Sequence, residues 1–544
     1  MSKEAQKNGL GHQPSNDLPE LVVDDSGIKS EGIHVTTASA ALAAAIEEQK
    51  PEMFSRHMMP LWGIMGISYL ISTMNGFDSS LMGAINAMIP YQESFGLSGA
   101  GSSTGLVFIS YQLGQIISFP ACPLLADGLG RRWCMFIGCA IVLVGTAIQT
   151  SSQNLAAFIG GRVVLGFGAS IASAAAPAYA VELAHPAFRG VMAGTYNNLW
   201  SLILYYHRAG WATYGSNKHI SSSWAWRIPT VVQAGMPGVA MCMVLFFPES
   251  PRWLIANDRA EEALDVMAKY HGQGDRNSPM VQFQYREIIE QAAQYRDENP
   301  WWDYRELFNT RAARYRTTMM VLTAFIGQWS GNNVVSYFMP EMIKTAGITN
   351  TNTQLLINAI NPIFAMIAAM VGSYQLDKLG RRTMMIWGLI GSLAFYILLT
   401  AFSAQSENHP NLSYGVIVSI YLFNICFAWG FTPLQTLYAV ECLENRTRAK
   451  GSGLNYLFLN IAMVINTYGI SEGIAKIKWK LYIVYCCWIA FEIFVIWKWF
   501  VETAGKTLEE LSVIFEAPNP RNESLKKTKA RIDASGNVLQ IHED

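Results

Sequence analysis

Charge is what this sequence has least of. Asp, Glu, Lys and Arg make up 15% of 544 residues, against roughly a quarter in ordinary soluble proteins. The net charge of −1 leaves no basic footprint for nucleic acid. The eight cysteines (Cys122, Cys134, Cys139, Cys242, Cys426, Cys442, Cys486 and Cys487) stand in or beside apolar runs. They have no metal-ligand spacing and no loop framework, and read as small packing residues. There is no phosphate-binding Gly-rich loop of the Walker type, so ATP-driven work is not expected. Neither Glu492 nor the histidines form a hydrolytic or metal constellation, so no enzyme is expected. No basic stretch precedes a short apolar core near Met1, so a cleaved signal peptide is not expected either.

Apolar sequence is what is abundant, at 51% of residues. A helix needs roughly 20 apolar residues to cross the hydrocarbon core. Twelve stretches qualify: 61–83, 102–125, 134–150, 155–180, 191–213 and 226–247, then 317–341, 354–376, 384–403, 414–440, 451–474 and 480–500. They are called spans 1 to 12 below. The expectation is an all-α membrane protein: a polar tail over 1–55, a six-helix bundle over 56–247, a charged loop over 248–316, a second bundle over 317–503, and a tail over 504–544. Within the loop, Ala260–Lys269 and Gln282–Arg296 read as short amphipathic helices, on the membrane surface or against the helix ends.

The chain also repeats itself. Asp127-Gly-Leu-Gly130-Arg131-Arg132 recurs as Asp377-Lys-Leu-Gly380-Arg381-Arg382, and Glu182 with Arg189 recurs as Glu441 with Arg448. A charged motif repeated at the ends of apolar spans implies two similar halves, an architecture that commonly moves a solute through the cleft between them. The connections carrying the motifs are rich in Arg and Lys, which makes that side cytosolic, with both termini and the central loop. Asn411-Leu-Ser413 is a glycosylation sequon on the opposite side, and an unmodified Asn411 is an equal alternative.

One carboxylate stands alone inside an apolar span. Asp78 lies in span 1, where an unpaired charge is costly and a functional role is the default, and Arg162 at the start of span 4 is its expected partner. In span 7, Gln328 and Asn333 are five residues apart, about 140° around a helix, so both can border one cavity. The alternative is interhelical hydrogen bonding.

Together these motifs resemble the sugar porters of the major facilitator superfamily. Three further matches carry the resemblance: Pro248-Glu249-Ser250-Pro251-Arg252-Trp253-Leu254 after span 6, Glu502-Thr503 with Gly505-Lys506-Thr507 after span 12, and Gln328-Trp-Ser-Gly331-Asn332-Asn333 in span 7. The resemblance covers roughly 56–516. The stretch Gly76-Phe-Asp78-Ser-Ser-Leu-Met-Gly-Ala-Ile-Asn86 further resembles fungal lactose and cellodextrin permeases. It implies a monomeric plasma-membrane symporter in contact with lipid, binding a sugar, with a proton as coupling ion and no cofactor. Asp78 and Arg162 match the proton-coupling pair of such symporters. Gln328, Asn333 and, with them, Asn332 match sugar-binding positions.

The family's substrate amide in span 5 falls at Asn197 or Asn198. Its span 8 Asn falls on Ala365, with Asn361 and Asn358 on the same helical face nearer the other end. Span 10 has Thr436 for the family's Trp, and span 11 offers Asn460. The pocket reads as amide-rich, suiting a mono- or a disaccharide. The residues Asp127, Arg131, Arg132, Glu182, Arg189, Glu249, Arg252, Asp377, Arg381, Arg382, Glu441, Arg448 and Glu502 read as a cytosolic latch, pairing across the bundles when the far side is open. Val501 and Pro123 depart from the family pattern, which has Pro and Gly at those positions.

His207 and Arg208 in span 5 also depart from it. They line the cavity for an anionic substrate, sit harmlessly at the outer surface, or reflect a damaged coding sequence. Two other functions therefore stay open: a nutrient sensor, and a carrier or exporter of a sugar-like or acidic metabolite.

Overall fold

The computed structural model describes residues 55–544 except 57, 189–191, 193–202, 297–302, 407–408, 410, 445–446, 507, 527, 533–537 and 543–544. Helices stand at each expected span. Span 1 is Met59–Ile85, span 3 Arg131–Ser151, span 4 Leu155–Leu183, span 8 Thr351–Leu379, span 9 Arg381–Gln405, span 11 Arg448–Ile477 and span 12 Lys480–Trp499. Span 5 is described from Ile203 to His219. Among the described residues, seven helical stretches are long and apolar enough to cross a membrane: those of spans 3, 4, 8, 9, 11 and 12, and span 10 taken whole from Leu412 to Glu441.

The remaining spans are broken. Span 2 bends by 52° between Ser102–Ser118 and Ala121–Gly128, where Pro120 ends the first helix. Span 6 runs as Trp224–Val232 and Gly235–Val244, and span 10 as Leu412–Gly430 and Leu434–Glu441, broken before Pro433. Span 7 runs as Arg311–Trp329 and Asn332–Thr345, with Gly331 between them at φ +90°.

Apolar side chains lie on both sides of these helices. Inward ones, such as Leu61, Met135, Leu165 and Ala172 in the first half and Met385, Leu389, Phe423 and Ile489 in the second, are fully buried. Outward ones, including Ile117, Leu124, Trp387, Ile397, Val484 and Trp497, are exposed. Exposed apolar surface on this scale marks a protein whose solvent on that face is lipid.

Two ends can be distinguished: the motif end, where both Gly-Arg-Arg segments lie, and the far end. At the far end the halves are in contact. The backbone N–H of Gly101 donates to Ser471 Oγ at 3.1 Å, and that hydroxyl donates back to Gly101 O at 2.8 Å. Asn217 donates to Asn352 at 3.0 Å. Gly83 of span 1 lies so near span 7 that a Cβ there would stand 2.9 Å from Ser336 O.

The central loop folds into helices Pro251–Ala256, Ala260–Tyr270 and Pro279–Arg296. They pack on one another through Leu254, Ile255, Ala263, Met267 and Val281. His271 Nε2 lies 3.1 Å from Leu183 O, which fixes this unit against the end of span 4. The amphipathic pieces thus cover helix ends. After span 12, helices Leu508–Glu516 and Pro520–Ser524 lead to a two-stranded antiparallel ribbon, Thr528–Ile532 with Val538–His542. This ribbon is a small departure from the all-α expectation. Asn411 is exposed, but the Ser413 hydroxyl of its sequon is buried and donates to Ala346 O.

Candidate functional site

Asp78 and Arg162 meet. Both guanidinium nitrogens Nη1 and Nη2 donate to the carboxylate, one to each oxygen, at 3.1 Å. Both side chains are almost fully buried. A forked pair of this kind is the strong form of an ion pair, and burial demands that the remaining polar atoms also be satisfied. They are: Arg162 Nε donates to Val107 O at 2.9 Å, and its guanidinium lies 5.7 Å from the Tyr111 ring centre. Asp78 Oδ1 accepts a further bond from Gln233 Nε2 at 3.0 Å.

Polar side chains continue from this pair toward the second half. Tyr111 donates to Asn75 Oδ1 at 2.6 Å, and Asn75 donates to Ser173 at 2.7 Å. Gln115 of span 2 donates to the Tyr456 hydroxyl of span 11 at 3.1 Å. Tyr337 of span 7 lies 3.2 Å from Ser79, the residue after Asp78, and accepts from Gln112 at 3.4 Å. Gln233, Asn75, Gln112, Gln115, Tyr111, Tyr337 and Tyr456 were not singled out from the sequence. The signal available was their polarity inside apolar spans, with Gln112 and Gln115 one helical turn apart.

In the second half, Gln328 and Asn333 are joined directly, Asn333 Nδ2 donating to Gln328 Oε1 at 3.2 Å. Both flank the break in span 7 and are buried. The break frees Gln328 O, which accepts from Asn333 and from Asn466 of span 11. Asn466 in turn accepts from Tyr485 of span 12 at 2.6 Å. Asn332 opens the second helix of span 7 and keeps a buried Oδ1 with no hydrogen-bond partner among the described residues. Asn361 of span 8 does the same. Asn358 and Asn361 are buried, but no bond joins either to Gln328 or Asn333 among the described residues. Asn460 donates to Tyr456 O of its own helix. Asn197, Asn198 and Arg189 lie outside the described residues, as do the side chains of His207, Arg208 and Asp377.

The motif end is built twice from the same parts. Gly130 and Gly380 take φ of +95° and +86°, a conformation that favours glycine. Each is followed by two arginines whose backbone N–H groups open a helix. Glu249 accepts from Arg131 N and Arg132 N at 3.1 Å, and Glu502 accepts from Arg381 N and Arg382 N at 2.8 and 3.1 Å. These two carboxylates therefore cap spans 3 and 9, satisfying N–H groups that have no partner within the helix. A side chain at either glycine would collide with the capping carboxylate.

Arg131 pairs with Glu182 at 3.3 Å and with exposed Asp127 at 3.4 Å, while Arg381 pairs with Glu441 at 3.0 Å. Ser250 donates to Glu182, and Thr503 donates to Glu441 at 2.5 Å. The side chains of Arg132 and Arg382 donate to carbonyls at the ends of spans 6 and 12, Phe247 O and Trp497 O. Tyr179 donates to Pro248 O, as Tyr438 donates to Val501 O.

The expected pairing across the bundles is absent from these contacts. Among the described residues, Arg131 and Arg381 find their carboxylates within their own half, in a conformation whose far end is closed. Val501 replaces a proline without loss, because its N–H donates to the Tyr438 hydroxyl at 3.0 Å. Among the described residues Arg448 keeps a buried Nε without a hydrogen-bond partner, and Arg252 is exposed. Burial raises the carboxyl pKa of Glu249 above its usual range, the backbone bonds from Ser250 and Arg132 and the charges of Arg132 and Arg131 opposing it.

Comparison with known proteins places these features. The model of the family described as sugar (and other) transporter matches residues 64–515. The high-affinity glucose transporter 1 of Candida albicans is 30% identical over 486 residues, covering 84% of this chain and 86% of its own. The high-affinity glucose transporter of Kluyveromyces lactis is 30% identical over 490 residues, covering 84% and 85%. Among solved structures, the xylose transporter XylE from E. coli, in a partially occluded inward open conformation, superposes with a TM-score of 0.67 at 19% identity. That match covers 82% of this chain and 99% of XylE, and shares the major facilitator fold.

Proposed function

We propose that this chain, which belongs to the sugar (and other) transporter family and is a multi-pass membrane transporter rather than an enzyme, carries a mono- or disaccharide together with a proton by alternating access. The observation that carries the coupling half of this reading is the buried forked pair of Asp78 and Arg162. An ionisable pair inside a membrane span is a functional site by default. A proton arriving on Asp78 removes the charge that holds Arg162. The guanidinium then keeps Val107 O and the Tyr111 ring, while Asp78 keeps Gln233. Ser79 links the loosened pair to Tyr337 of span 7, and span 7 also bears Gln328 and Asn333.

The solute half rests on chemistry. Neutral polyols are recognised by amides and phenols rather than by ion pairs. Gln328, Asn333 and Asn332 supply amides at the span 7 break, and Asn361 presents a buried, unpartnered oxygen. The 56–247 and 317–503 bundles are the two moving bodies, working as a monomer in the plasma membrane. The motif end faces the cytosol.

Uptake of a panel of radiolabelled sugars into yeast lacking its own hexose carriers tests the reading. At least one sugar should accumulate, the accumulation should collapse with a protonophore, and Asp78→Asn should abolish accumulation while leaving downhill exchange. Concentrative uptake that survives Asp78→Asn unchanged would sink the coupling role, and failure of every sugar would sink the substrate class.

A further inference from the structure

A second carboxyl group lies inside the membrane, and the coupling pair makes no use of it. Glu492 of span 12 is 1% exposed. Among the described residues no ion pair to it forms and no cation offsets a charge there. Span 7 offers it Ser330, at the break between the two helices. Its own helix brings the Trp488 indole and the Tyr485 phenol near it, but among the described residues neither Trp488 Nε1 nor Glu492 Oε1 has a hydrogen-bond partner. Tyr485 packs on Tyr396 of span 9, ring centres 6.0 Å apart, and bonds to Asn466 of span 11. The groups beside Glu492 are thus a hydroxyl, an indole and a phenol, with the Asn466 amide and the Tyr396 ring beyond Tyr485.

Counting hydrogens at Ser330 favours one form of the acid. Ser330 Oγ lies 2.5 Å from Ile326 O and 2.7 Å from Glu492 Oε2. A serine hydroxyl has one hydrogen to give, and a backbone carbonyl can only accept. If Glu492 is a carboxylate it too can only accept, and one of the two short contacts is left with no hydrogen between two oxygens. If Glu492 carries a proton, both contacts are bonds: Glu492 Oε2–H donates to Ser330 Oγ, and Ser330 Oγ–H donates to Ile326 O.

We propose that Glu492 is a proton-binding site of the second bundle, separate from Asp78, occupied in this far-end-closed conformation and fastened through Ser330 to the break in span 7. Loss of the proton turns the Ser330 hydroxyl from Ile326 O to the carboxylate. The proton goes to water, no covalent bond other than O–H changes, and the first helix of span 7 loses the side-chain tie at its end. Because that break sets Gln328 and Asn333, the state of Glu492 bears on the geometry of the amides without touching Asp78.

The test is infrared difference spectroscopy on the purified full-length protein in lipid, titrated with acid and base without any solute. Wild type should show the C=O stretch of a neutral carboxylic acid at neutral pH. Glu492→Gln should lose that band, and Asp78→Asn should keep it. Ser330→Ala should shift its frequency, since the acid loses its acceptor. A spectrum in which wild type and Glu492→Gln are identical in the acid region overturns the proposal, as does a band that disappears with Asp78→Asn instead. Circular dichroism confirms that each variant is folded. Neither outcome depends on identifying the transported solute, so this proposal and the transport reading fail separately.

Discussion

Gln233 and Asp78 are bonded across two spans: the amide Nε2 donates to Oδ1 at 3.0 Å, on the same oxygen that receives Arg162 Nη1 at 3.1 Å. The Asp78 carboxylate is therefore held by groups on three spans, 1, 4 and 6.

Removing that third hold should be visible. A hydrogen bond to a charged group contributes about 1.5–3 kcal/mol, so Gln233→Leu should slow concentrative uptake by roughly tenfold or more if the bond is needed in the rate-limiting state. Membrane expression should stay close to wild type, because the ion pair itself survives. Uptake kinetics normalised to surface protein provide the check.

Breaking the ion pair is a different matter. Arg162→Leu leaves Asp78 buried without its cation, a change that costs about 3–5 kcal/mol. The melting temperature of the purified protein should fall sharply. The double variant Asp78→Leu with Arg162→Leu should recover much of that loss while remaining inactive. A double variant no more stable than Arg162→Leu alone would show that the pair is not what holds spans 1 and 4 together.

Close approach separates two glycines by role. Gly166 would place a Cβ 2.0 Å from Tyr111 O, inside one bundle, whereas Gly83 would place one 2.9 Å from Ser336 O, between bundles. Gly166→Val should prevent folding. Gly83→Val should fold and reach the membrane but fail to close the far end. Labelling of a cysteine introduced at Ser79 by an impermeant reagent from the far side should rise in the Gly83→Val background.

Glu249 ties stability to pH. Its folded-state carboxyl is raised by burial above the usual 4.5, so the unfolded chain releases its proton more readily than the folded one. That contribution is complete below the unfolded value and declines as pH rises through the folded value. The stability of wild type relative to Glu249→Gln should therefore be greatest under acid conditions and shrink as pH rises from 4.5. Thermal melts of both proteins across that window test the sign.

The sequence made the spans, the duplicated motif and the Asp78–Arg162 pairing legible because each leaves a local mark: an apolar run, a repeated string, a charge where none belongs. Gln328 and Asn333 were also legible as a pair, being five residues apart on one segment. The capping by Glu249 and Glu502 was not. Each reaches a Gly-Arg-Arg segment more than a hundred residues earlier, and nothing local announces that approach. The break of span 7 at Gly331 was equally hidden, since the same residues read as continuous helix until the Asn333 and Asn466 side chains take Gln328 O out of the ladder. Gln233 was missed because a single amide in an apolar run is common. Only its distance to Asp78 distinguishes it.

The seam at Gly83 gives the far end a particular kind of closure. Main chain lies against main chain there, and such contacts draw on dispersion, which fades within an ångström or so of separation. An ion pair would keep attracting at longer range and would weaken in salt. A seam of this sort has little partly open state to rest in. The far mouth should behave as a latch that is shut or released, insensitive to ionic strength, while salt acts on the arginine-rich motif end.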